Sequence, residues 1–409
     1  MRKLWLCVVL VFPLQAELRL DELIREALER NPELAAALHR YQASRYRPSQ
    51  ASSLPETMLS TGYTSNGRPW PGAGLGVEPT SNIGFMVSQE FPFPGKRRLR
   101  GEIAEAESGA DFQRYQEARL AVVARLKQAY YRLGFTYLAE ESIQRNRELL
   151  LLLLKITEAR YSVGRTAQQD VLKAQTQLAL LDARLIQLER ERQARQAEIL
   201  SLVNRKPTER LEKPEVPKPE PLAYGLEELL ARAGARAPAL RRDEKQIAGS
   251  QLAVNLARKD YYPDYAISSG YYTMGRMPDM FEFRVDFRLP TSFFRKQRAA
   301  LAEQSRRLAE SRKALESTAQ NLAFRIQDEY LLATTAYRLM ELYEESVVPQ
   351  SSLTLESSLA SYQTGAVDFL TVFSNFSMVL EYRVNYYEEM TTYYQALARL
   401  EELTGGLEP

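Results

Sequence analysis

Phe281-Glu282-Phe283-Arg284-Val285-Asp286-Phe287-Arg288-Leu289 alternates without a fault, with Phe281, Phe283, Val285, Phe287 and Leu289 on one face and Glu282, Arg284, Asp286 and Arg288 on the other. Period two is the spacing of a β-strand, and the contrast between its sides says that one meets something apolar and the other meets water. Ile83 to Phe91 repeats the pattern, with Ile83, Phe85, Val87 and Phe91 opposite Ser88 and Glu90, and weaker strands at Thr57 to Ser65 and Tyr265 to Thr273 precede the two strong ones. Segments of about ten residues, apolar outward and polar inward, are the pattern of an outer-membrane barrel. A lone strand of this kind would sooner belong to a soluble half-buried sheet; four of them in an exported, repeated chain favour the barrel. Phe281, Phe283, Val285 and Phe287 are then the expected lipid-facing set, and Glu282, Arg284, Asp286 and Arg288 the expected barrel lumen. Four strands cannot close a barrel. An open edge in lipid leaves backbone N–H and C=O groups without partners, so other copies must complete the sheet. Three copies supply twelve strands, an even number in the usual range, although the chemistry demands oligomerisation rather than that count.

The two strand pairs belong to a sequence written twice. Leu20-Asp21-Glu22-Leu23-Ile24 returns as Leu226-Glu227-Glu228-Leu229-Leu230, and Asn31-Pro32-Glu33-Leu34 as Ala237-Pro238-Ala239-Leu240, at a shift of about 206 residues. Phe91-Pro92 is echoed by Leu289-Pro290, and Tyr161-Ser162-Val163-Gly164 by Tyr362-Gln363-Thr364-Gly365. A repeat this long implies a duplicated structural unit. We expect a first repeat over 17–204 and a second over 226–409, joined at 205–225 by an extended linker carrying Pro207, Pro214, Pro217, Pro219 and Pro221, with no core of its own.

Met1-Arg2-Lys3 followed by apolar Leu4 to Leu14 and small Ala16 reads as a secretory signal peptide over 1–16, its apolar run too short to span a membrane as a helix. The only cysteine, Cys7, falls inside that run, so an exported mature chain must be held by packing or oligomerisation rather than by disulfides. The formal net charge of +2 falls to about zero without Arg2 and Lys3, which argues against a nucleic-acid binder. The most apolar later stretch, Leu149 to Leu154, is far short of the ~20 residues a transmembrane helix needs. If the protein enters a membrane, it does so with strands.

Most of the remainder is helix. Arg98 to Arg160 carries few breakers beyond Gly101, Gly109 and Gly134, and some 60 residues make a rod of roughly 90 Å, ordinary in a coiled-coil tube and anomalous in a globular core. Residues 161–166 interrupt it before a second long helix from Asp170 to about Asn204. The second half repeats this from about Lys296 to Ser361, with a break at Tyr362 to Asp368 and a helix to Thr404. The fold class expected is mostly α with membrane β: an oligomeric barrel of four strands per chain continued by a long α-helical barrel.

This order of elements, the paired Tyr-x-x-Gly breaks at Tyr161/Gly164 and Tyr362/Gly365, and Phe91-Pro92-Phe93-Pro94-Gly95-Lys96-Arg97 after a strand resemble the TolC family of outer-membrane efflux proteins. The resemblance covers the whole mature chain. It implies a homotrimer in the outer membrane of a Gram-negative-type bacterium, with a periplasmic helical tunnel that docks onto a periplasmic adaptor and an inner-membrane pump. The Phe-Pro-x-Pro-Gly-Lys-Arg segment is most similar to members serving heavy-metal and related resistance-nodulation-division pumps. The family also implies that the helix breaks form a periplasmic aperture, closed by polar links and by carboxylate rings a few residues past the second Gly. Here those positions are Thr371 and Ser374, which are neutral. Gly164, Arg165, Asp170, Gly365 and Asp368 are the expected aperture and adaptor-contact residues, with Asp170 and Asp368 either forming a ring or simply capping helices.

Lys96, Arg97, Arg98, Arg100, Arg295, Lys296 and Arg298 crowd cations at helix starts, where the helix dipole disfavours them. Lys96, Arg97, Arg295 and Lys296 are expected to reach lipid phosphates at the membrane interface, the alternative being a solvated basic face. His39, the one histidine, suits packing or a solvated face better than a metal. Met274, Met277 and Met280 are expected in the hairpin loop after the third strand, as apolar rim residues or as a thioether set for Cu(I) or Ag(I). No Ser-His-Asp or Cys-His set can be assembled and no glycine loop cradles a phosphate, so neither catalysis nor a cofactor is expected. The reading is a passive exit duct for efflux. Its rivals are a duct for type I protein secretion and a soluble periplasmic coiled-coil adaptor, and the Phe281 to Leu289 alternation speaks against the latter.

Overall fold

The computed structural model of the chain describes residues 18–65 and 69–406, so the expected signal peptide lies outside the described residues. Helices α1 (Leu20–Arg30), α2 (Pro32–Ser44) and α3 (Arg47–Ser52) lead to strands β1 (Met58–Thr64) and β2 (Asn82–Phe91), then to helices α4 (Lys96–Ser162) and α5 (Gln168–Leu202). An extended stretch follows, then α6 (Leu226–Arg236), α7 (Pro238–Lys259), β3 (Asp264–Met274) and β4 (Met277–Arg288). A π-helical turn at Phe293–Gln297 opens α8 (Arg298–Leu342), a second at Tyr343–Val347 precedes α9 (Val348–Thr364), and α10 (Phe369–Thr404) closes the chain. Two compact units result, and each draws on both halves of the sequence. One comprises Ala36–Gln116 with Pro238–Gln320; the other comprises the residues up to Ala35, Glu117–Ala237, and those from Asn321 onward.

The first unit carries a four-stranded antiparallel sheet in the order β1-β2-β3-β4. Chain neighbours pair along hairpins except at the centre, where β2 pairs β3 with Phe85 opposite Tyr271 and Phe91 opposite Tyr265. The sheet has two open edges of unequal length: β1 offers 7 residues and β4 offers 12. Where the sheet gives way to helix, Pro92 and Pro94 end the ladder and α4 begins, as proline's missing N–H and fixed φ favour.

In the second unit, helices pack around two clusters of buried side chains. One gathers Leu150, Leu153, Leu181, Leu188, Leu355, Tyr362, Phe369, Val372 and Phe376; the other gathers Leu23, Val122, Leu126, Tyr130, Leu133, Ile199 and Leu200. The helix expected to run unbroken from Lys296 to Ser361 is interrupted by the turn at Tyr343–Val347. Pro349 explains it: the ring lacks the N–H that would donate to the Glu345 carbonyl and crowds that oxygen, and one wide turn absorbs the conflict.

The proline-rich stretch is extended, as its composition predicts, but it is docked rather than free. Tyr130 Oη lies 2.7 Å from the Leu18 carbonyl and 2.8 Å from that of Glu215, sharing its one proton between them, while Tyr394 Oη donates to the carbonyl of Pro217 (2.9 Å) and Tyr393 Oη to that of Glu220. Leu211 is buried in the second cluster. Gly134 lets α4 approach this strap, since a Cβ there would lie 2.3 Å from Val216 Cγ2.

Beside the strap, Arg205 donates from two guanidinium nitrogens to both oxygens of Glu26, and Arg30 adds a third bond at 2.7 Å. The Arg205 hydrogen bond, helped by the charges of Arg205 and Arg30 and opposed by burial, holds the Glu26 carboxyl below its ordinary value of 4.5. A carboxylate depressed in the folded state contributes stability that is fully present above its unfolded pKa and is lost as pH falls through the folded one. Thermal melts of the detergent-solubilised protein at about pH 7 and about pH 3 should therefore lie closer together in Glu26→Gln than in the native chain. An unchanged gap would remove this pair from the acid response.

Candidate functional site

The register sorts the strand residues into two faces. One is built of rows across the sheet: Phe91-Tyr265-Phe287, Gln89-Ile267-Val285, Leu59-Val87-Ser269-Phe283, Thr61-Phe85-Tyr271-Phe281 and Tyr63-Ile83-Thr273. Aromatic rings meet along it, Phe91 with Tyr265 at 5.4 Å between centroids and Tyr271 with Phe281 at 5.3 Å. Its large side chains stay open among the described residues: Phe281 is 79% exposed, Phe283 73% and Phe287 63%. From Ile83 to Phe91 it runs nine residues, ~27 Å along the strand and ~20 Å in height at a tilt of about 40°, close to the apolar band of a membrane barrel.

The opposite face holds Ser60, Met86, Ser88, Glu90, Ser268, Glu282, Arg284, Asp286 and Arg288. Arg288 forks onto Glu90 at 2.7 and 3.3 Å, Arg284 donates to Glu282, and Ser268 Oγ donates to Ser88 Oγ at 2.9 Å. The four residues expected in the lumen therefore share a polar surface with Glu90. They lie on strands with the four expected lipid-facing residues on the reverse.

Lys96 departs from expectation. It is buried, 3% exposed, and its ammonium lies 2.9 Å from Asp264 and 3.4 Å from Asp260 while donating to the Tyr262 carbonyl at 3.1 Å. The Phe93 N–H donates to the same Asp264 oxygen at 2.7 Å, and the Phe93 ring stacks on Tyr262 at 4.5 Å. Lys96 thus fastens the start of α4 to the start of β3 and does not reach out to lipid. Lys259 stands at the surface of the same junction, donating to the Pro94 carbonyl at 3.2 Å with its ammonium above the Phe93 ring. Arg97 is half-buried and donates to the Ser52 carbonyl at 2.8 Å, whereas Arg295 and Lys296 are exposed. The basic cluster read as uniform in sequence because nothing local marks Asp260 and Asp264, 164 and more residues away, as partners.

The methionines also differ from expectation. Met274 ends β3 and Met277 begins β4 as its partner, with only Gly275 and Arg276 between them, so the set lies in paired strands rather than in a loop. His39 is exposed, its ring nitrogen 3.1 Å from Gln42 Oε1.

The two helix breaks are built alike. Gly164 (φ 73°) and Gly365 (φ 85°) end α4 and α9 in the left-handed region that glycine adopts without strain. Each break closes with the same pair of backbone bonds: Gly164 N–H to Tyr161 O and Arg165 N–H to Arg160 O in one, Gly365 N–H to Tyr362 O and Ala366 N–H to Ser361 O in the other. The restarts differ. Asp368 caps α10, accepting from the Thr371 N–H at 2.9 Å and from its hydroxyl at 2.5 Å, while in the first break Thr166 donates to Asp170 at 2.6 Å. The Thr371 hydroxyl, then its N–H, hold the Asp368 carboxyl below its ordinary range. Both acids are thereby engaged locally at helix starts. Arg165 is exposed, and its neighbour Arg160 does the bridging: it donates to the Tyr362 carbonyl and lies over the Tyr362 ring at 4.5 Å. Tyr161 and Tyr362, equivalent in the repeat, diverge, the first exposed and the second 1% exposed with its hydroxyl on Thr157. Replacing Asp368 by alanine should speed amide exchange at Phe369 to Thr371 while leaving the sheet's protection unchanged. Equal rates in both proteins would show the cap to be idle.

Among the described residues no helix is long and apolar enough to cross a membrane, and no three His, Cys, Asp or Glu are arranged to hold a metal. The family model described as outer membrane efflux protein matches residues 23–205 and 229–406. Among solved structures, the fold is similar to that of the outer membrane protein VceC from Vibrio cholerae, with a TM-score of 0.80, 19% identity and coverage of 95% of this chain and 96% of that one. It is similar to CusC (TM-score 0.80, 16% identity, 96% and 93% covered) and to the CmeC outer membrane channel of Campylobacter jejuni (0.80, 14%, 95% and 85%). At these identities the likeness establishes the fold. No curated protein sequence matches the chain.

Proposed function

The chain belongs to the outer membrane efflux protein family, and on that premise we propose that it works as a homotrimer whose three sheets close into one twelve-stranded barrel. The protein is an outer-membrane exit duct for tripartite efflux. The observation that carries the trimer is the sheet itself, open at both edges and bare on its apolar face. In lipid each edge must find a strand, and head-to-tail pairing of β1 with β4 of the next copy supplies one without leaving an edge.

In this reading Phe281, Phe283, Val285 and Phe287 face lipid, while Glu282, Arg284, Asp286 and Arg288, with Glu90, line the water-filled lumen. Ion pairs keep that lining polar without a strong net field, so passage is passive and coarse in its selectivity. The two halves of the chain act as tandem repeats after removal of residues 1–16. Their helix breaks, with Gly164, Arg165, Asp170, Gly365 and Asp368, form the periplasmic aperture and the surface met by a periplasmic adaptor. An inner-membrane pump supplies the energy. Arg295 and Lys296, exposed where β4 passes into α8, sit at the periplasmic face of the outer membrane; Lys96 is withdrawn from that role.

Fractionation of the native protein, followed by the mass of the detergent-solubilised species, tests this. An outer-membrane pool running at three times the chain mass is expected. A soluble monomer or dimer in the periplasm would sink the barrel and leave the helical hairpins to be explained as an adaptor.

A further inference from the structure

The connection between β1 and β2 carries one charge in its described part, Pro69 to Ser81: Pro69-Trp70-Pro71-Gly72-Ala73-Gly74-Leu75-Gly76-Val77-Glu78-Pro79-Thr80-Ser81. It lies at the end of the sheet away from the helices. A connection at the mouth of a duct has two places to go, inward across the opening or outward over the barrel wall.

Its contacts choose between them. Tyr63 Oη donates to the Pro69 carbonyl at 2.9 Å, and Gly72 lies so close to Ile83 that a Cβ there would stand 3.5 Å from Ile83 Cδ1. Tyr63 and Ile83 are partners in one row, and that row continues the face of Phe85, Tyr271 and Phe281. The connection therefore leans over the apolar side of the sheet. Further bonds hold it there: Ser65 Oγ donates to the Ala73 carbonyl at 3.1 Å, and the Gly76 N–H donates to the Met274 carbonyl at 2.7 Å. Successive tight turns, Ala73 N–H to Trp70 O, Leu75 N–H to Gly72 O and Val77 N–H to Gly74 O, make it a platform rather than a slack loop.

The level is marked as well. Phe85, Tyr271 and Phe281 stand in the last row but one of this face, and the Tyr271 hydroxyl points past it to Asp279 at 2.6 Å. A carboxylate on the lipid-facing side marks the depth at which headgroups and water begin. Trp70 and Val77, 71% and 76% exposed, adjoin the residues whose bonds tie the connection to Tyr63 and Met274, beyond that row. Tryptophan, an apolar body with one N–H, is the residue best suited to such a boundary.

We propose that Trp70-to-Val77 is a membrane foot: it lies outward in the headgroup region of the outer leaflet, with Trp70 as its anchor, and leaves the mouth of the duct uncovered. This rests on the barrel reading above. The occupant is the lipid surface rather than a protein, because the patch adjoins the lipid-facing wall and Trp70 to Val77 themselves carry no charge, with Glu78 and Arg276 beside them as an acid and a base that suit a headgroup layer.

The chain has 2 tryptophans, Trp5 and Trp70; Trp5 lies in the segment expected to be removed on export, and Trp5→Phe silences any uncleaved chain, so the tryptophan fluorescence reports on Trp70 alone. The protein would be reconstituted in phosphatidylcholine vesicles brominated either near the glycerol end or near the methyl end of the acyl chains. The expected result is blue-shifted emission, strong loss with shallow bromines, less with deep ones, and weak quenching by aqueous iodide. Emission that ignores both bromolipids and yields to iodide like free indole overturns the foot and places the connection over the opening. A second probe, Trp70→Phe with Phe283→Trp in the same background, separates the two readings. Deep quenching of that probe with none of Trp70 defeats the foot alone. No quenching of either defeats the barrel and the foot together.

Discussion

Replacing Asp264 by alanine is expected to cost about 3 kcal/mol and to deplete the protein from the outer membrane. The substitution strands the ammonium of Lys96, which is 3% exposed and loses its partner at 2.9 Å. An unpaired buried charge costs roughly 3–5 kcal/mol, and the low end applies because Asp260, at 3.4 Å, stands ready as a partial substitute. The Phe93 N–H loses its acceptor in the same step. Thermal unfolding in detergent and the yield of membrane-inserted protein are the readouts. The double variant Lys96→Met with Asp264→Leu should recover much of the loss, since replacing both partners removes the stranded charge along with the pair. If the double variant is no better than the single, the pair is not what holds this junction.

Phe283→Arg is expected to prevent assembly. Phe283 stands in the third of the five apolar rows, the middle of the band, where an arginine costs about 2–4 kcal/mol in a membrane barrel. Three copies incur that cost together, so a trimer meets roughly 6–12 kcal/mol. Asp286→Arg, on the reverse face, should assemble normally because its side chain meets water. Trimer yield after detergent extraction decides the matter. Equal tolerance of arginine at 283 and 286 would mean that the two faces have been assigned wrongly or that neither meets lipid.

The parts of the fold that were legible in the sequence rest on local periodicity. Phe281 to Leu289 declares its two faces to any reader, and the duplicated Tyr-x-x-Gly locates both helix breaks within a residue or two. What escaped depends on contacts distant in sequence or on a single backbone group. Lys96 looks like its neighbours Arg97 and Arg98 until Asp264 is brought beside it. Pro349 gives a signal, a proline deep in a helical run, whose wide turn at Tyr343–Val347 follows from the missing N–H. Met274 and Met277 lie in strands rather than in a loop because Gly275-Arg276 suffices as the whole turn, which spacing alone does not say. The linker's prolines announce an extended chain but not the tyrosines, Tyr130, Tyr393 and Tyr394, that grip it. At the breaks, equivalent residues take different tasks. The acid sits at the cap in one repeat, as Asp368, and three residues inside the helix in the other, as Asp170.

The unequal edges of the sheet carry a consequence for how the trimer fails. Within one copy, β1 and β2 are joined over seven residue pairs, β2 and β3 over nine and β3 and β4 over ten, and the shortest of these seams is also tied by the chain that connects its two strands. Between copies the 7 residues of β1 limit the zipper, however long the β4 that faces them. The barrel therefore has three perforations built into its wall. Heat or detergent will open it along those lines first, and the protein will come apart as intact thirds, each with its own four strands still laced together.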